Sequence, residues 1–460
     1  MRQLFGRRKI KTDKLNITEA DIIEVLSKAV IEHDFNLSEI DYLWNVYRGK
    51  MPIYGKTKEF RENINNIVVE NRALQAVEFY QGYIFGEPIQ YTRRGENESL
   101  NDEIGWLNDA MYERDKISGD SRLAEWMLVA GVAPRMVFPN PETGFDIYSL
   151  DPRYAFNIYG NTLGEPVVAS VKFVVREDNV RVYDIYTANR HFKVEGTIFK
   201  GSEAHIMGKP PIVEYCLNEA RMGVFEPILT LQDALNTLQS NRLDDVQQIV
   251  NSILTILGGQ IDSETMGSVQ ELGALSLPDG VDAKYLNAAL SQADTEVLKA
   301  DLMAAITEII GLPNRNGGSS TSDTGSAVLL RDGWEVADSK AKRIETNFKA
   351  AEKEMLRLAL NFSEAFFEHK LTVADIGIQF TRRNYENIQS KATVLNMMLN
   401  NPKIHPELAY QHCGMFADPL SAFNMSMKYY DEEVAKNGNE DYNRQENSAG
   451  AGKASSEEDN

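Results

Sequence analysis

Apolar positions three and four residues apart run without a break from 334 to 362. They are Trp334, Ala337, Ala341, Ile344, Phe348, Ala351, Met355, Leu358 and Phe362, and Lys, Arg and Glu fill the other face. This spacing predicts one long amphipathic helix with a single apolar seam. Burial of its large members could contribute very roughly 1.5–3 kcal/mol each before entropy is subtracted. We expect Trp334, Ile344, Phe348, Met355 and Phe362 to carry this packing, mostly against the same chain.

A second helical pattern precedes this one and ends at a polar loop. Its apolar residues are Leu298, Leu302, Ala305 and Ile309, and Gly311-Leu312-Pro313 ends it. The loop that follows has little to bury: Asn314, Arg315, Asn316, Gly317, Gly318, Ser319, Ser320, Thr321, Ser322. Taken alone, this pattern favours a linker between two helical domains. The alternative is a loop held between two helices and presented to something that moves past it.

The remaining patterns predict an α+β chain that is mostly helical. Apolar residues at helical spacing predict helices over 18–47, 63–83, 100–112, 118–130 and 225–250. Between 135 and 200 the period changes to two, which predicts strands over 145–148, 167–175, 180–186 and 191–194. A strand–helix–strand excursion follows at 252–257, 262–272 and 274–286. The zone 388–430 is helical with breaks at Pro402 and Pro406, and 437–460 is polar and predicted to be disordered.

Composition describes an ordinary soluble globular protein with room for two or three domains. Of 460 residues, 43% are hydrophobic, and 48 basic against 68 acidic residues give a net charge of −20. That charge argues against a surface that binds nucleic acid tightly, so any contact with DNA should be weak, local or geometric. No apolar segment is long enough to span a membrane. Cys216 and Cys413 form no framework or metal spacing, which favours a reducing cytosol.

No catalytic, cofactor or metal motif emerges from the sequence. The segment 49–57 (GKMPIYGKT) has five residues between its glycines, where a phosphate loop has four, and no strand precedes it. The six histidines never pair at helical spacing, and no nucleophile elbow occurs. We therefore expect no enzyme activity, no metal and no cofactor.

Several segments in order resemble the portal (head-to-tail connector) proteins of tailed bacteriophages, in the branch common among phages of Gram-positive hosts. The resemblance begins at 63–72 (NINNIVVENR) and 82–89 (GYIFGEPI), and continues through Asp120 and Ala124 to Val132. It includes 150–156 (LDPRYAF), 210–215 (PPIVEY), 310–313 (IGLP) and Ser326-Ala327. Together these cover roughly 41–431. Each motif alone is loose, whereas six in the right order, with 63–72 and 82–89 counted as one pairing, are specific.

The resemblance implies a portal fold with wing, stem, clip and crown, assembled as a ring around a central channel. It implies a wing over 1–224, stem helices over 225–250 and 291–311, and a clip over 251–290. A tunnel loop over 312–325, a long wing helix with its return over 326–385, a crown over 386–436 and an acidic tail over 437–460 would complete the chain.

The implied function is that of the channel through which double-stranded DNA enters and leaves the capsid at one vertex. Relatives form rings, typically of 12 subunits. The implied partners are DNA without sequence preference, the large terminase subunit, the major capsid and scaffolding proteins, and the head-completion and neck proteins. The implied locations are the virion and, during assembly, the host cytoplasm. The clip would dock the motor and neck through Asp262, Glu264, Gln270 and Glu271.

The charges of the two implied stem helices suit a channel that does not hold DNA. The first carries Glu226, Asp233, Asp244 and Asp245 against Arg242, and the second carries Asp294, Glu296, Asp301 and Glu308 against Lys299. Repulsive walls would keep a duplex centred and mobile, because several strong phosphate contacts would retain it. We expect Arg315, Lys299 and Lys284 to be the few cationic contacts. The alternative for Lys299 and Lys284 is pairing with nearby carboxylates.

Two other classes of function are possible for such a chain. The first is an enzyme in which the polar loop is a lid, and it fails for lack of catalytic groups. The second is a non-enzymatic cytosolic interaction or scaffold protein with two helical domains on a flexible linker.

Overall fold

The computed structural model describes residues 4–59, 62–95, 98–205, 207–250, 253–257, 282–286, 292–313, 333–367, 369–381, 388–416, 419 and 422–432. Its helices are α1 (Ile22–Tyr47), α2 (Arg72–Phe85), α3 (Asn101–Glu113), α4 (Lys116–Ala130), α5 (Leu229–Val250), α6 (Gln292–Ile310), α7 (Trp334–Glu364), α8 (Ile388–Leu399) and α9 (Pro406–Cys413). Residues 422–432 are also helical. Helices and sheets are both present, as expected for an α+β chain.

The largest sheet has six strands in the order β1-β5-β6-β7-β8-β9. Their bounds are β1 (Ile10–Thr12), β5 (Ala155–Gly160), β6 (Val167–Val175), β7 (Arg181–Tyr186), β8 (Arg190–Glu195) and β9 (Ile198–Ala204). Four consecutive antiparallel pairs join β5 to β9, and β1 pairs with β5 in parallel. Alternate residues of these strands face α1, and this face forms a separate hydrophobic cluster with Ile22, Leu26 and Ala29.

A larger hydrophobic core joins the other elements. It contains a three-stranded sheet of order β10-β3-β4, with β3 (Val132–Asn140), β4 (Gly144–Ser149) and β10 (Ile212–Cys216). A two-stranded sheet pairs β2 (Gln90–Arg93) with β13 (Ile376–Gln379). Helix α7 packs against β3, β4, β10 and α2 of the same chain. The same chain therefore supplies the partner of the long apolar seam.

The segment 63–71, predicted to begin a helix, has a turn at Asn63 and no regular secondary structure after it, and α2 begins only at Arg72. The helix prediction was wrong for this segment, for one local reason and one tertiary reason. The Asn71 side chain accepts a hydrogen bond from the Leu74 backbone N–H and caps the helix at this point. The residues before Asn71 instead bond to side chains of α5, as described below.

Where the other predicted elements fall on described residues, they lie close to their expected bounds, and the segment 437–460, predicted to be disordered, lies outside those residues. The helix predicted over 225–250 begins with a 3-10 turn at Glu226–Ile228 and continues as α5. The excursion after it contains β11 (Ile253–Leu257) and β12 (Asp282–Leu286), paired antiparallel. The helix predicted over 262–272 lies outside the described residues. The zone 388–430 contains α8 and α9 on either side of Pro402, with α9 beginning at Pro406.

Candidate functional site

Helices α5 and α6 form an antiparallel pair that extends from the large core. The 3-10 turn before α5 contacts α6, and at the other end Arg242 of α5 donates to Glu296 near the start of α6 at 2.7 Å. Leu235, Ile306 and Ile310 anchor the pair in the core. The hairpin β11–β12 lies between the helices in the chain and pairs Thr255 with Lys284. The pair therefore has the hairpin at one end and the core at the other.

The loop expected to contact DNA begins and ends at one place on the core. Gly311, with φ of +76°, follows α6, and a Cβ built on it would lie 3.5 Å from Val336 of α7. The ammonium of Lys340 donates to the Ile310 carbonyl at 2.7 Å. The hydroxyl of Tyr80 donates to the same carbonyl at 2.9 Å. A cation at the C-terminus of α6 also stabilises the helix dipole. We call these contacts the loop base.

Residues 314–332, which connect the end of α6 to the start of α7, lie outside the described part of the chain. They include all the candidate loop residues, namely Asn314, Arg315, Asn316, Gly317, Gly318, Ser319, Ser320, Thr321 and Ser322. The candidate clip residues Asp262, Glu264, Gln270 and Glu271 lie outside it as well. The reading of this loop as a linker between two helical domains was wrong, because the helices before and after it share one core. Ile306 and Ile310 of α6 lie in the same cluster as Ala341 and Ile344 of α7.

Two acidic residues expected on the channel wall are buried and paired instead. Glu226 is 6% exposed and lies 3.1 Å from the guanidinium of Arg7. Asp244 is fully buried beside Lys56 and Lys58. Their partners precede them by about 200 residues, so no local pattern could have revealed the pairing. The exposed acidic residues of the pair include Asp245, Asp301 and Glu308.

Lys299 lies beside a carboxylate from another part of the chain. Its ammonium is 4.0 Å from the carboxylate of Glu70, which also accepts from Arg72 and from Gln239 of α5. The carboxyl of Glu70 is partly desolvated, but these hydrogen bonds outweigh that effect and lower its pKa. This geometry favours the pairing alternative for Lys299. For Lys284 the structure gives only the backbone pairing with Thr255.

A ladder of side-chain to backbone hydrogen bonds holds α5 against residues 65–72, a segment that we call the strap. The backbone N–H groups of Arg72, Glu70, Val68 and Asn66 donate to Gln232, Asn236, Ser240 and Asp244 at 2.6–2.9 Å. Two residues of extended chain rise about 6.6 Å and four helical residues about 6 Å, so the two repeats match. The helix side chains take the place of a neighbouring strand.

Sequence reasoning missed this ladder although both halves leave a signal. The strap belongs to the segment 63–72 on which the family resemblance rests. On α5, Gln232, Asn236, Ser240 and Asp244 repeat at four-residue spacing, which places polar groups on one helix face. All four side chains are at most 1% exposed. Polar side chains that are buried in a row require hydrogen-bond partners. The regular spacing of this row indicates that the partner is an extended segment of chain.

The long helix α7 is fixed by apolar packing and by a buried group of charges. Ile344, Phe348, Met355 and Phe362 are at most 4% exposed, and Trp334 lies partly buried near Phe79 and Tyr83. Among these side chains sits the fully buried carboxylate of Glu352. Its partners are Lys116 at 2.9 Å, Tyr215 at 2.5 Å, Arg135 at 3.6 Å, and the Tyr91 hydroxyl.

Within the described residues, no group of three or more His, Cys, Asp or Glu side chains could hold a metal ion. The described helices likewise include none that is long and apolar enough to cross a membrane. Cys216 is partly buried beside Glu214, and desolvation, followed by this charge, raises the pKa of its thiol. This thiol is therefore poorly suited to act as a nucleophile.

Comparison with known proteins gives a family match over most of the chain. The profile described as "Phage portal protein, SPP1 Gp6-like" matches residues 27–444, which include the strap, the helix pair, the loop base and α7. No curated protein matches. A solved structure described as the neck of an empty GTA particle computed with C6 symmetry is similar at 12% identity, with a TM-score of 0.44. The similarity covers 75% of this chain and 90% of that one, and it is too distant to add to the assignment. The family match shows that the chain belongs to the SPP1 Gp6-like family of phage portal proteins.

Proposed function

We propose that this phage portal protein forms a closed ring, of 12 subunits in its relatives, around a channel for double-stranded DNA. The family match over 27–444 carries this proposal. The α5–α6 pair supports it, because it extends from the core with a hairpin at one end and the loop base at the other. A helix of 22 residues such as α5 is about 33 Å long. Repeated around a ring, such a pair would form a channel wall of comparable height.

In this proposal the elements take the places that the family fold gives them. Residues 1–224 form the wing, α5 and α6 the stem, 251–290 the clip and 312–325 the tunnel loop. Helix α7 returns through the wing within 326–385, and 386–436 form the crown. The loop base then holds the narrowest part of the channel against the wing core. We assign the chain no catalytic step, so its role is structural.

The charges of the helix pair support contact with DNA that is weak and independent of sequence. Asp245, Asp301 and Glu308 are exposed, whereas Lys299 lies near Glu70. Few cations are therefore available on these helices to neutralise phosphates, and a duplex would gain little affinity at the wall. Arg315 of the loop remains the best candidate for a phosphate contact. Such a channel would centre the duplex and let it slide.

We further propose that the clip docks the large terminase subunit during packaging and the neck proteins afterwards. The wing and crown would contact the major capsid and scaffolding proteins. The ring would then be a virion component that assembles in the host cytoplasm. Asp262, Glu264, Gln270 and Glu271 are the proposed docking residues, and Lys284 lies on the strand that closes the hairpin.

The experiment that tests this function deletes 317–322 and measures assembly and packaging separately. We expect the variant to form the same ring by light scattering and negative-stain microscopy, because the loop base involves none of these residues. DNA packaging in a phage carrying the deletion should be impaired. A variant that fails to assemble would show that the loop is structural. A native protein that remains a monomer at high concentration and with scaffolding protein would contradict the ring.

The docking proposal has its own test. Replacing Asp262 and Glu264 together by Lys should weaken terminase binding without changing the melting temperature. The matched control replaces Asp294 and Asp301 of α6 by Lys, which alters the same charge outside the clip. Equal terminase binding by the clip variant and the native ring would contradict the assignment.

A further inference from the structure

Helix α5 is held in two different ways along its length. Its first half is anchored by apolar side chains, since Leu229 is 6% and Leu235 0% exposed. Beyond Leu235 the described buried side chains are Asn236, Ser240 and Asp244, which are all polar. Leu243 and Val246 lie on the outer side and are 45% and 37% exposed. Among the described side chains of the second half, the fully buried ones are therefore polar, and Leu238 is only partly buried.

Helix α6 shows the same division. Its first buried side chain is Ile306, and the described residues before it are exposed or partly buried. Val297 and Leu298 are 62% and 49% exposed. The Arg242–Glu296 ion pair joins this part of α6 to the second half of α5. We call residues 236–248 of α5 and 292–301 of α6 the lower half of the pair.

Asp244 makes the densest set of bonds between the lower half and the body of the protein. Its carboxylate lies 2.6 Å from the ammonium groups of both Lys56 and Lys58. It also accepts from the backbone N–H of Asn66 at 2.6 Å and from the Asn66 side-chain amide at 2.8 Å. Bonds to a charged group contribute roughly twice as much as neutral ones. The other rungs of the ladder bond to neutral side chains.

We propose that Asp244 is a latch that holds the lower half against the strap, and that its release lets the lower half swing about a hinge near Asn236. This inference rests on the proposed function in one respect, namely that the hairpin at the far end meets a partner. Because the hairpin lies between α5 and α6 in the sequence, a load on the hairpin reaches the lower half first. Asp244 is the strongest attachment nearest to that end.

In this proposal the helix pair consists of one part that stays fixed to the core and one part, the lower half, that can be released. Opening the latch would leave Leu235, Ile306 and the loop base in place, because apolar packing and Lys340 hold them. Only the lower half and the hairpin would move. The chain could thus change the position of its docking end without disturbing the core.

Hydrogen exchange with mass spectrometry on the purified full-length protein tests the latch. Asp244→Asn keeps the shape of the side chain, but it removes the charge and replaces one of the two acceptor oxygens by an NH2 group, so the side chain can no longer accept from both the lysines and Asn66. We expect exchange in peptides covering 62–72, 241–250 and 292–300 to become about tenfold faster or more, since charged hydrogen bonds are lost. Peptides covering 22–47 and 229–235 should exchange at the native rate. The matched control is Asp245→Asn, because Asp245 is exposed on the same helix.

Two results would overturn the latch. One is unchanged exchange in Asp244→Asn, and the other is faster exchange throughout, which would mean that Asp244 only stabilises the fold. If Asp244→Asn does not fold, Lys58→Met removes one of the two cations, and the same three segments should exchange faster. The readout needs neither DNA nor a ring, so failure of the latch leaves the portal function untouched. Conversely, a protein that forms no ring can still show the segment-specific change.

Discussion

The Tyr215 hydroxyl donates to the carboxylate of Glu352 at 2.5 Å, although both side chains are fully buried. Glu352 belongs to α7 and Tyr215 to β10, so the bond ties the long helix to the sheet beneath it. Lys116 and Arg135 bring positive charge to the same carboxylate. A buried charge of this kind persists only where its partners remain in place.

Glu352→Gln should therefore lower the free energy of unfolding by up to about 3–5 kcal/mol, because Lys116 and Arg135 lose one of the two carboxylates that they share and keep only that of Asp120. Chemical denaturation followed by tryptophan fluorescence measures the change. The matched control is Glu354→Gln on the same helix, where the carboxylate pairs with Arg357 at the surface. Its cost should be below about 1 kcal/mol. Similar costs for the two variants would contradict the structural role of Glu352.

The lowered pKa of Lys340 makes the stability of the protein depend on pH. Burial, followed by the nearby charge of Arg343, lowers the pKa of its ammonium to about 8, whereas an unfolded lysine titrates at about 10.4. Between these values the unfolded chain binds more protons than the folded one, so this group makes stability rise with pH from about 8 to 10. Below pH 8 its burial penalty is at its full value. The difference in unfolding free energy between the native protein and Lys340→Met should change across this range, and a constant difference would contradict the prediction.

Two glycines should respond oppositely to the same substitution. Gly82 lies inside α2 with open space where a Cβ would be, so Gly82→Ala should stabilise the protein by about 0.5–1 kcal/mol. A Cβ on Gly223 would lie 2.2 Å from the Val129 carbonyl oxygen. Gly223→Ala should therefore destabilise it by about 1–3 kcal/mol. Melting temperatures that shift in the same direction would contradict the environment described for one of the two glycines.

Phe348 is the best-packed aromatic side chain of α7. Its ring centroid lies 4.7 Å from that of Tyr215 and 5.0 Å from that of Phe85. Phe348→Ala should cost about 3–5 kcal/mol, because the core cannot close over the space it leaves. Phe366→Ala is the control, since that side chain is 39% exposed. Equal losses in denaturant midpoint would contradict the packing described for α7.

The long helix could be predicted because the residues that specify it lie close together in the sequence. Ile344, Phe348 and Met355 repeat at helical spacing, and burial of one face is sufficient to specify them. Three strands of the large sheet, β6, β7 and β8, were predicted for the same reason, since Val171 and Phe173 alternate with more polar neighbours, whereas β1, β5 and β9 were not predicted. In each case a single stretch of chain contains the whole signal.

The features that were missed depend on partners far apart in the sequence. The segment 63–72 carries Ile64, Ile67 and Val68 at spacings that imitate a helix, and the true partners of the strap within it lie about 170 residues later on α5. Asp244 was taken for a wall residue for the same reason, because Lys56 and Lys58 are distant. A row of polar residues on a predicted helix can be identified as buried from the sequence only if that face of the helix is already known to pack against the rest of the protein.

The loop base makes the segment between α6 and α7 an exchangeable part of the protein. Lys340 and Tyr80 fix the end of α6 through backbone carbonyls of Ile310 and Gly311. Closing a flexible connection costs only about 0.6 kcal/mol more for each doubling of its length. Mutation can therefore vary the length and composition of this insert while the helices that carry it stay the same. In the proposed ring, sequence change confined to this insert would alter the passage without altering the helices that carry it.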